Sequence, residues 1–340
     1  MIGIDFVKMT MKQWIVTMAC LLLVVACGQS YEETKRITRE QRREAARRDS
    51  AALKVAVMPT MDCLPMFVAA HYELFDTLYG GVRLKQYKAQ MDCDTALERG
   101  RVEGAATDLV RAKCMERRGV KMRYAAATNL HWQLVTNRNA RIRQLKQLDD
   151  KMVAMTRFSA TDMLTDRVVD SVKLDKDRVF KVQINDVLVR LLMLQNNEMD
   201  ALWLAEPQAT VARVLKHLVV YDTEKEDICL GVLAFREKEM QRQARGKQLE
   251  LFVKACNQAC DSINKYGVRH FRKLIIDRCK LKENMVDSLP NKKYVHARGP
   301  REKDIALVEK WLDGKGIKEK TKDADNRKTV VRKARAKVRK

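Results

Sequence analysis

The chain has 340 residues, of which 46% are hydrophobic and 33% charged, and its formal net charge is +23. With five prolines and nine cysteines, this composition excludes a disordered chain, a collagen-like repeat and a small disulfide-stabilised scaffold. The length suits one large bilobal unit or two domains of ordinary size. The positive charge raises the question of nucleic-acid binding, because Lys and Arg neutralise phosphates.

An apolar run near the N-terminus predicts a secretory signal. The run from Trp14 to Ala26 follows Lys12 and is too short for a membrane-spanning helix, which needs about 20 residues. Its length suits the core of a signal peptide. The segment Val24-Val25-Ala26-Cys27 resembles a bacterial lipobox. That resemblance implies a signal peptide over residues 1–26 and an acylated Cys27, with palmitate as one acyl chain. An ordinary secretory signal and a buried helix are the alternatives.

Two polar, basic segments flank the part of the chain that is expected to fold. Residues 27–50 are predicted to be a lipid-anchored, solvated tether, helical in part through its Arg/Glu spacing. Residues 319–340 are almost wholly polar and are predicted to be a disordered tail. More than half of the net charge lies outside residues 50–314. This distribution favours anionic lipid or envelope polymers over a specific nucleic-acid partner.

From Leu53 onward, short strands alternate with helices. Strands are predicted at 53–58, 82–87, 120–126, 133–136, 152–155 and 179–183. Helices are predicted at 65–75, 95–99, 162–169 and 186–195, with amphipathic helices at 238–265, 269–277 and 300–312 and no strand signal beyond Ala234. This alternation indicates an α/β protein with largely parallel sheets.

The order of several short motifs resembles a type 2 periplasmic substrate-binding protein. Leu53 to Pro59, Ala96 to Gly100 and Thr107-Asp108 resemble its first lobe, and Leu145 to Ala154 resembles its entry into the second lobe. Asn196 to Ala201 followed by Glu206-Pro207 resembles the "G-x-x-D-A … E-P" step of the branch that binds thiamine pyrimidines, sulfonates and nitrate, although Asn197 stands where that step has glycine.

The resemblance implies a bilobal fold with two mixed or parallel sheets, an interlobe cleft and a helical C-terminal part. Lobe 1 is expected at about 51–140 and 235–318, and lobe 2 at about 141–234. It also implies a monomeric binding protein in the cell envelope, which captures a small molecule by lobe closure and delivers it to an ABC permease. No cofactor is expected.

In open α/β sheets, ligands lie beyond the carboxyl ends of the strands. That rule selects loops carrying eleven candidate ligand contacts, namely Thr60, Asp62, Asp92, Asp94, Thr107, Asp108, Arg157, Ser159, Thr161, Trp203 and Glu206. Hydroxyls at a helix start with a nearby arginine suit a carboxylate or phosphate, or simply cap the helix. The aspartates suit N–H donors or a cation, or are N-caps, with Asp94 the strongest cap candidate. Trp132 and Trp203 could stack on a flat ring, or pack in the core.

These contacts favour a nitrogen heterocycle, such as a thiamine-pyrimidine precursor, over a small organic anion. Cys63 and Cys93 could form a disulfide, bind a soft metal with Asp92, or be buried thiols. The sequence contains no GxSxG, HExxH or P-loop motif, so we predict a protein that is not an enzyme. A structural surface lipoprotein and an enzyme of pyrimidine or cofactor biosynthesis are the alternatives.

Overall fold

The structure is a computed structural model that describes residues 31–77 and 79–318. The predicted signal peptide, the acylation site at Cys27 and the predicted tail therefore lie outside the described residues. Among the helices of the described ranges, none is both long and apolar enough to cross a membrane.

The segment that precedes the folded body is a helix, α1, over Tyr31–Ala51. It forms a unit of its own, separate from the body that begins at Ala52. Glu44 and Arg48, four residues apart on this helix, form an exposed ion pair at 2.6 Å. Such pairs support a solvated helix, so the predicted partial helicity of the tether is confirmed.

The first sheet of the body has five strands in the order β2-β1-β3-β10-β4. Their bounds are β1 Leu53–Val57, β2 Val82–Gln86, β3 Gly104–Asp108, β4 Met122–Ala127 and β10 Gly231–Arg236. Strand β1 is parallel to β2 and β3, whereas β10 runs antiparallel between β3 and β4. We call the part of the body built on this sheet lobe 1.

The second sheet, which defines lobe 2, repeats this arrangement in the order β7-β6-β8-β5-β9. Its strands are β5 Gln133–Thr136, β6 Lys151–Met155, β7 Val179–Gln183, β8 Ala201–Leu204 and β9 Leu218–Asp222. Strand β6 is parallel to β7 and β8, and β5 runs antiparallel between β8 and β9. Two mixed sheets flanked by helices confirm the predicted fold class.

Helices connect the strands and complete the C-terminal part. Their bounds are α2 Leu64–His71, α3 Gln90–Glu98, α4 Leu109–Arg117, α5 Ala160–Ser171, α6 Val187–Gln195, α7 Gln208–Val214, α8 Glu237–Met240, α9 Gln243–Tyr266, α10 Arg272–Cys279 and α11 Glu302–Gly314. The predicted helix at 238–265 is thus two helices, α8 and α9. Strands β3, β8, β9 and β10 were not predicted.

Two chain segments join the lobes, and both cross earlier than the sequence predicts. Strand β5 already belongs to the second sheet and β10 to the first, so the crossings lie at 128–132 and 223–230 rather than near 140 and 234. The segments run side by side where Thr128 N–H donates to Gly231 O at 2.9 Å. A Cβ on Gly231 would lie 2.4 Å from Thr128 Oγ1, so this close crossing requires glycine.

The C-terminal helix α11 packs over both lobes. Val308 and Leu312 are fully buried in one hydrophobic cluster with residues of α4 from lobe 1 and α5 from lobe 2. Trp311 Nε1 donates to Asp166 of α5 at 2.7 Å, and Arg117 of α4 forms an ion pair with Asp313 at 2.7 Å. Helix α11 therefore contributes to the stability of the whole body.

We predict that Leu312→Ala lowers the free energy of unfolding by about 2–5 kcal/mol, because it leaves a cavity in this buried cluster. Chemical denaturation measures the loss. Leu192→Ala on α6 is the matched control, since Leu192 is 53% exposed and its truncation should change stability by less than about 0.5 kcal/mol. Equal losses of unfolding free energy in Leu312→Ala and Leu192→Ala would contradict the buried position of α11.

Candidate functional site

The carboxyl ends of β1, β3, β6 and β8 converge on a cavity of about 50 Å³ between the lobes. Six of the eleven predicted site residues line it, and these are Thr60, Asp62, Asp108, Ser159, Thr161 and Trp203. The wall also includes polar residues that the sequence did not single out, namely Gln90, Thr156, Asn185 and Arg190. We call this space the interlobe cavity.

Asp62 reaches the cavity from a one-turn 3₁₀ helix, Met61–Cys63, that directly follows β1. Its side chain is 8% exposed. The Oδ2 atom accepts from Thr128 Oγ1 at 3.3 Å, whereas Oδ1 has no hydrogen-bond partner among the described residues. Burial raises the pKa of this carboxyl group above its usual value.

Asp108 ends β3 and caps helix α4 by accepting from the backbone N–H of Arg111 at 2.9 Å. Asp108 also lines the interlobe cavity. Burial is the main cause that raises its pKa to about 7. Asp108 therefore changes charge near neutral pH.

Arg190 is the cationic group of the cavity and is only 3% exposed. Its guanidinium donates to Ile184 O at 2.6 Å, to Trp203 O at 3.1 Å and to Thr156 Oγ1. No described carboxylate forms an ion pair with it. Burial lowers its pKa to about 10, so the group stays cationic at neutral pH. Three of its five N–H donors are engaged by these contacts, which leaves two for another acceptor.

The hydroxyls at the start of α5 form a local network. Ser159 is the N-cap of α5 and accepts from Thr161 N–H at 3.2 Å. Ser159 Oγ also donates to Thr156 O at 2.6 Å and lies 2.8 Å from Thr161 Oγ1. Thr60, from lobe 1, donates to Cys63 Sγ at 3.8 Å. These hydroxyls shape the cavity wall while satisfying backbone groups nearby.

Asp94 and Thr107 lie outside the cavity lining, in a buried polar cluster of lobe 1. Asp94 accepts from Thr107 Oγ1 at 2.8 Å and forms an ion pair with Arg111 at 2.6 Å. The prediction that Asp94 is an N-cap is wrong, because α3 begins at Gln90 and places Asp94 inside the helix. The pair instead secures α3 to α4 behind the cavity.

Three other predicted contacts also lie outside the lining. Asp92 and Arg157 are exposed, and the carbonyl of Arg157, rather than its side chain, accepts from Arg111 Nη1 at 3.1 Å. Glu206 is directed to helix α7, where it accepts from Thr210 Oγ1 at 2.6 Å and pairs with Arg213 at 2.7 Å. The side chains of Asp92 and Arg157 are therefore on the surface, and that of Glu206 interacts with residues of α7.

The tryptophans belong mainly to the core. Trp203 is fully buried, donates from Nε1 to Thr165 Oγ1 at 2.8 Å and packs edge-on against Tyr221. Trp132 is 8% exposed and shares the same hydrophobic cluster. Both line the interlobe cavity, but the space beside them is too small for a stacked heterocycle in this closed arrangement.

Direct hydrogen bonds hold the lobes closed around the cavity. Met61 N–H donates to Glu206 O at 2.9 Å, and Gln208 Nε2 donates to Pro59 O at 3.0 Å. Ala89 and Asp186 form an antiparallel β-bridge between the lobes. Since a water needs roughly 10–15 Å³ of such space, the remaining cavity holds about three to five non-hydrogen atoms.

All seven described cysteines are free thiols, so of the three alternatives for Cys63 and Cys93 the structure has the buried thiols and not the disulfide. Both are buried, and burial raises the pKa of each thiol. A raised thiol pKa makes oxidation and nucleophilic attack slow. Within the described ranges, no group of three or more His, Cys, Asp or Glu residues could hold a metal ion.

A larger groove of about 940 Å³ lies on lobe 2, between α5, β9 and α11. None of the predicted site residues lines it. Its charged side chains include two ion pairs, Lys176 with Asp170 at 2.9 Å and Lys315 with Asp166 at 2.8 Å. The convergence of strand ends and buried charges favours the smaller interlobe cavity as the functional site.

Comparison with known proteins identifies the fold. No protein-family model matches the chain, and no curated protein matches its sequence. Solved structures do match: the alkanesulfonate-binding protein of Xanthomonas axonopodis pv. citri, bound to MOPS, is 13% identical with a TM-score of 0.66. That match covers 79% of this chain and 95% of the other. The chain has the periplasmic-binding-protein fold.

Two further matches support this fold. The zinc-bound ligand-binding component of an ABC-type import system from Staphylococcus aureus is 14% identical with a TM-score of 0.65, covering 79% of this chain and 94% of that one. The periplasmic nitrate-binding protein of Synechocystis is 13% identical with a TM-score of 0.61, covering 74% of each chain. Identities this low establish the periplasmic-binding-protein fold alone.

Within this fold, Arg190 is the principal residue that the sequence prediction missed. It is the single charged residue of helix α6, whose sequence is VLVRLLMLQ. A lone arginine in an apolar helix next to a predicted strand end was the available signal. Gln90 and Asn185 lie in the chain segments that form the interlobe bridge, and their proximity depends on tertiary structure.

We predict that Asp108→Asn gains stability relative to the wild type as pH rises. The folded-state pKa of about 7 lies above the ordinary value of 3.8, so the unfolded chain releases the proton first. This group's contribution to stability is therefore present at low pH and is lost between about pH 4 and pH 7. Asparagine keeps an N-cap oxygen.

Denaturation at a series of pH values measures the difference in unfolding free energy between Asp108→Asn and the wild type, which should grow by on the order of 4 kcal/mol across this range. Asp92→Asn is the control because Asp92 is exposed and lies outside the cavity lining. If the unfolding free energies of Asp108→Asn and the wild type change with pH in parallel, the pKa of Asp108 is not raised by folding.

Proposed function

We propose that this chain is an extracytoplasmic, lipid-anchored solute-binding protein that closes on a small polar molecule and presents it to an ABC permease. The observation that carries the proposal is one interlobe cavity lined by Asp62, Asp108 and Arg190. Each of these side chains is at least nine-tenths buried, and the described residues give none of them an ion-pair partner.

Buried charge without a partner is expensive, because desolvation costs several kcal/mol per group. Sites that retain such charges are candidates for ligand binding, where a solute supplies the missing partner. The positions of these groups at converging strand ends match the general location of ligands in α/β proteins.

Similar structures support the same class of function. They include an alkanesulfonate-binding protein, a nitrate-binding protein and the ligand-binding component of an import system. Sulfonate and nitrate are small anions, and Arg190 offers two free N–H donors for an anionic or acceptor group. The small cavity favours a small organic solute of this kind over a thiamine-pyrimidine precursor.

The paired crossing segments supply a hinge for capture and release. Thr128 pairs with Gly231 at one position, and Thr223 N–H donates to Trp132 O at 3.0 Å at another. Two adjacent crossings of this kind permit rotation of one lobe against the other with few backbone changes. Solute binding would then shift the population towards the closed arrangement.

Exposed apolar side chains on lobe 2 offer a surface for the permease. Val189 and Leu192 of α6 are 43% and 53% exposed, and Phe180 of β7 is 49% exposed. The neighbouring strand adds Met152, which pairs with Phe180 in register. Apolar residues concentrated on one surface are typical of interaction sites.

A structural role in the envelope is a second candidate, favoured by the direct hydrogen bonds that close the lobes. An enzymatic role has less support, because the described cysteines lack the lowered pKa of an activated nucleophile. The solute-binding and structural roles predict different effects of a solute on stability. A binding protein gains stability from a solute, whereas a structural protein does not.

The central test is thermal unfolding of the full chain in mild detergent with a panel of small sulfonates, nitrate, carboxylates, amino acids and heterocycles. One chemical class should raise the melting temperature in a concentration-dependent way. A short DNA duplex is the control and should leave it unchanged. No shift with any solute, or a shift with DNA alone, would contradict the proposed function.

A separate prediction concerns the anchor. Cys27→Ser should move the protein from the membrane fraction to the soluble envelope fraction and abolish labelling by a palmitate analogue, because acyl chains supply the membrane affinity. The matched control is Cys256→Ser, at a half-buried position of α9, which should leave both unchanged. Persistence of membrane attachment in Cys27→Ser would exclude lipid anchoring at this residue.

A further inference from the structure

The interlobe cavity has acidic side chains on one side and a basic side chain on the other. Lobe 1 provides the carboxyl groups of Asp62 and Asp108, and lobe 2 provides the guanidinium of Arg190. Each side also has an unused hydrogen-bonding capacity. Asp62 Oδ1 accepts from no described residue, and Arg190 retains two N–H donors.

A simple anion satisfies only half of this arrangement. It would accept from Arg190, but it would add a negative charge beside two carboxyl groups and leave Asp62 Oδ1 without a donor. A simple cation would satisfy Asp62 and leave the guanidinium unpaired. In a buried site, each group left unpaired costs its full desolvation free energy.

The geometry points to a small zwitterion as the solute, with its ammonium group on Asp62 and its carboxylate or sulfonate on Arg190. This inference rests on the proposed solute-binding function and specifies its ligand class. Such a solute is neutral overall, so it adds no net charge to the closed cavity. The free volume of about 50 Å³ corresponds to a molecule the size of glycine, which has five non-hydrogen atoms.

The inference distinguishes this chain from the similar structures described as alkanesulfonate- and nitrate-binding proteins. Arg190 supplies the anion-binding part of the site, and Asp62 supplies the additional requirement for an ammonium group. The hydroxyls of Ser159 and Thr161 already satisfy each other and the backbone, so the two charged residues set the preference.

Isothermal titration of the full chain in mild detergent tests this preference with glycine, acetate, methylammonium, methanesulfonate and nitrate. Glycine should bind at least about tenfold more tightly than acetate or methylammonium, since each fragment lacks one charged hydrogen bond. Asp62→Asn should weaken glycine binding by about 10–100-fold without weakening acetate binding, because it removes the ammonium partner and a carboxyl group that repels an anion. Arg190→Lys should weaken both, because lysine cannot reproduce the planar donor geometry of arginine.

Matched controls are Asp92→Asn and Arg157→Lys, at exposed positions outside the cavity lining. Both should bind glycine like the wild type. The wild-type ligand series is decisive even if a cavity variant fails to fold. If acetate, methanesulfonate or nitrate binds as tightly as glycine, the inference of a zwitterionic solute is wrong, although the protein still binds a solute. If none of the five probes binds, the zwitterion inference is also overturned. The proposed solute-binding function fails only if no solute of the thermal-unfolding panel raises the melting temperature.

Discussion

The buried guanidinium of Arg190 ties together the carboxyl ends of the three parallel strands of lobe 2. Its acceptors are Ile184 O just after β7, Trp203 O within β8 and Thr156 Oγ1 just after β6. Burying this charge is costly, and the acceptor dipoles offset only part of the cost because no carboxylate pairs with it. These hydrogen bonds fix the strand ends in place, so lobe 2 presents a positively charged surface to lobe 1.

Lobe 1 provides the complementary wall. Asp108 caps α4 by accepting from the backbone N–H of Arg111, while Asp62 follows β1 with one oxygen unpaired. Behind them, the buried pair of Asp94 and Arg111 secures α3 to α4. Because these contacts are local to each lobe, the two walls can separate at the crossing segments without unfolding either sheet.

The sequence allowed prediction of the fold class and part of the site. Strands β1, β2 and β7 were recognisable because their apolar or alternating patterns are local. Strand β10 was missed because it pairs antiparallel with β3, more than a hundred residues earlier in the chain. The polar run at the start of α3 was interpreted as a loop, which misassigned Asp94, and the burial of Arg190 depends on packing that no local pattern determines.

A solute-binding protein of this fold must enclose its solute in the interlobe cavity. The most direct measurement is a crystal structure of the protein purified from its own cells, with mass spectrometry of the molecule that co-purifies. We expect density for a small solute in contact with both Asp62 and Arg190. Closed lobes with a cavity that holds water alone, and no co-purifying small molecule, would contradict it.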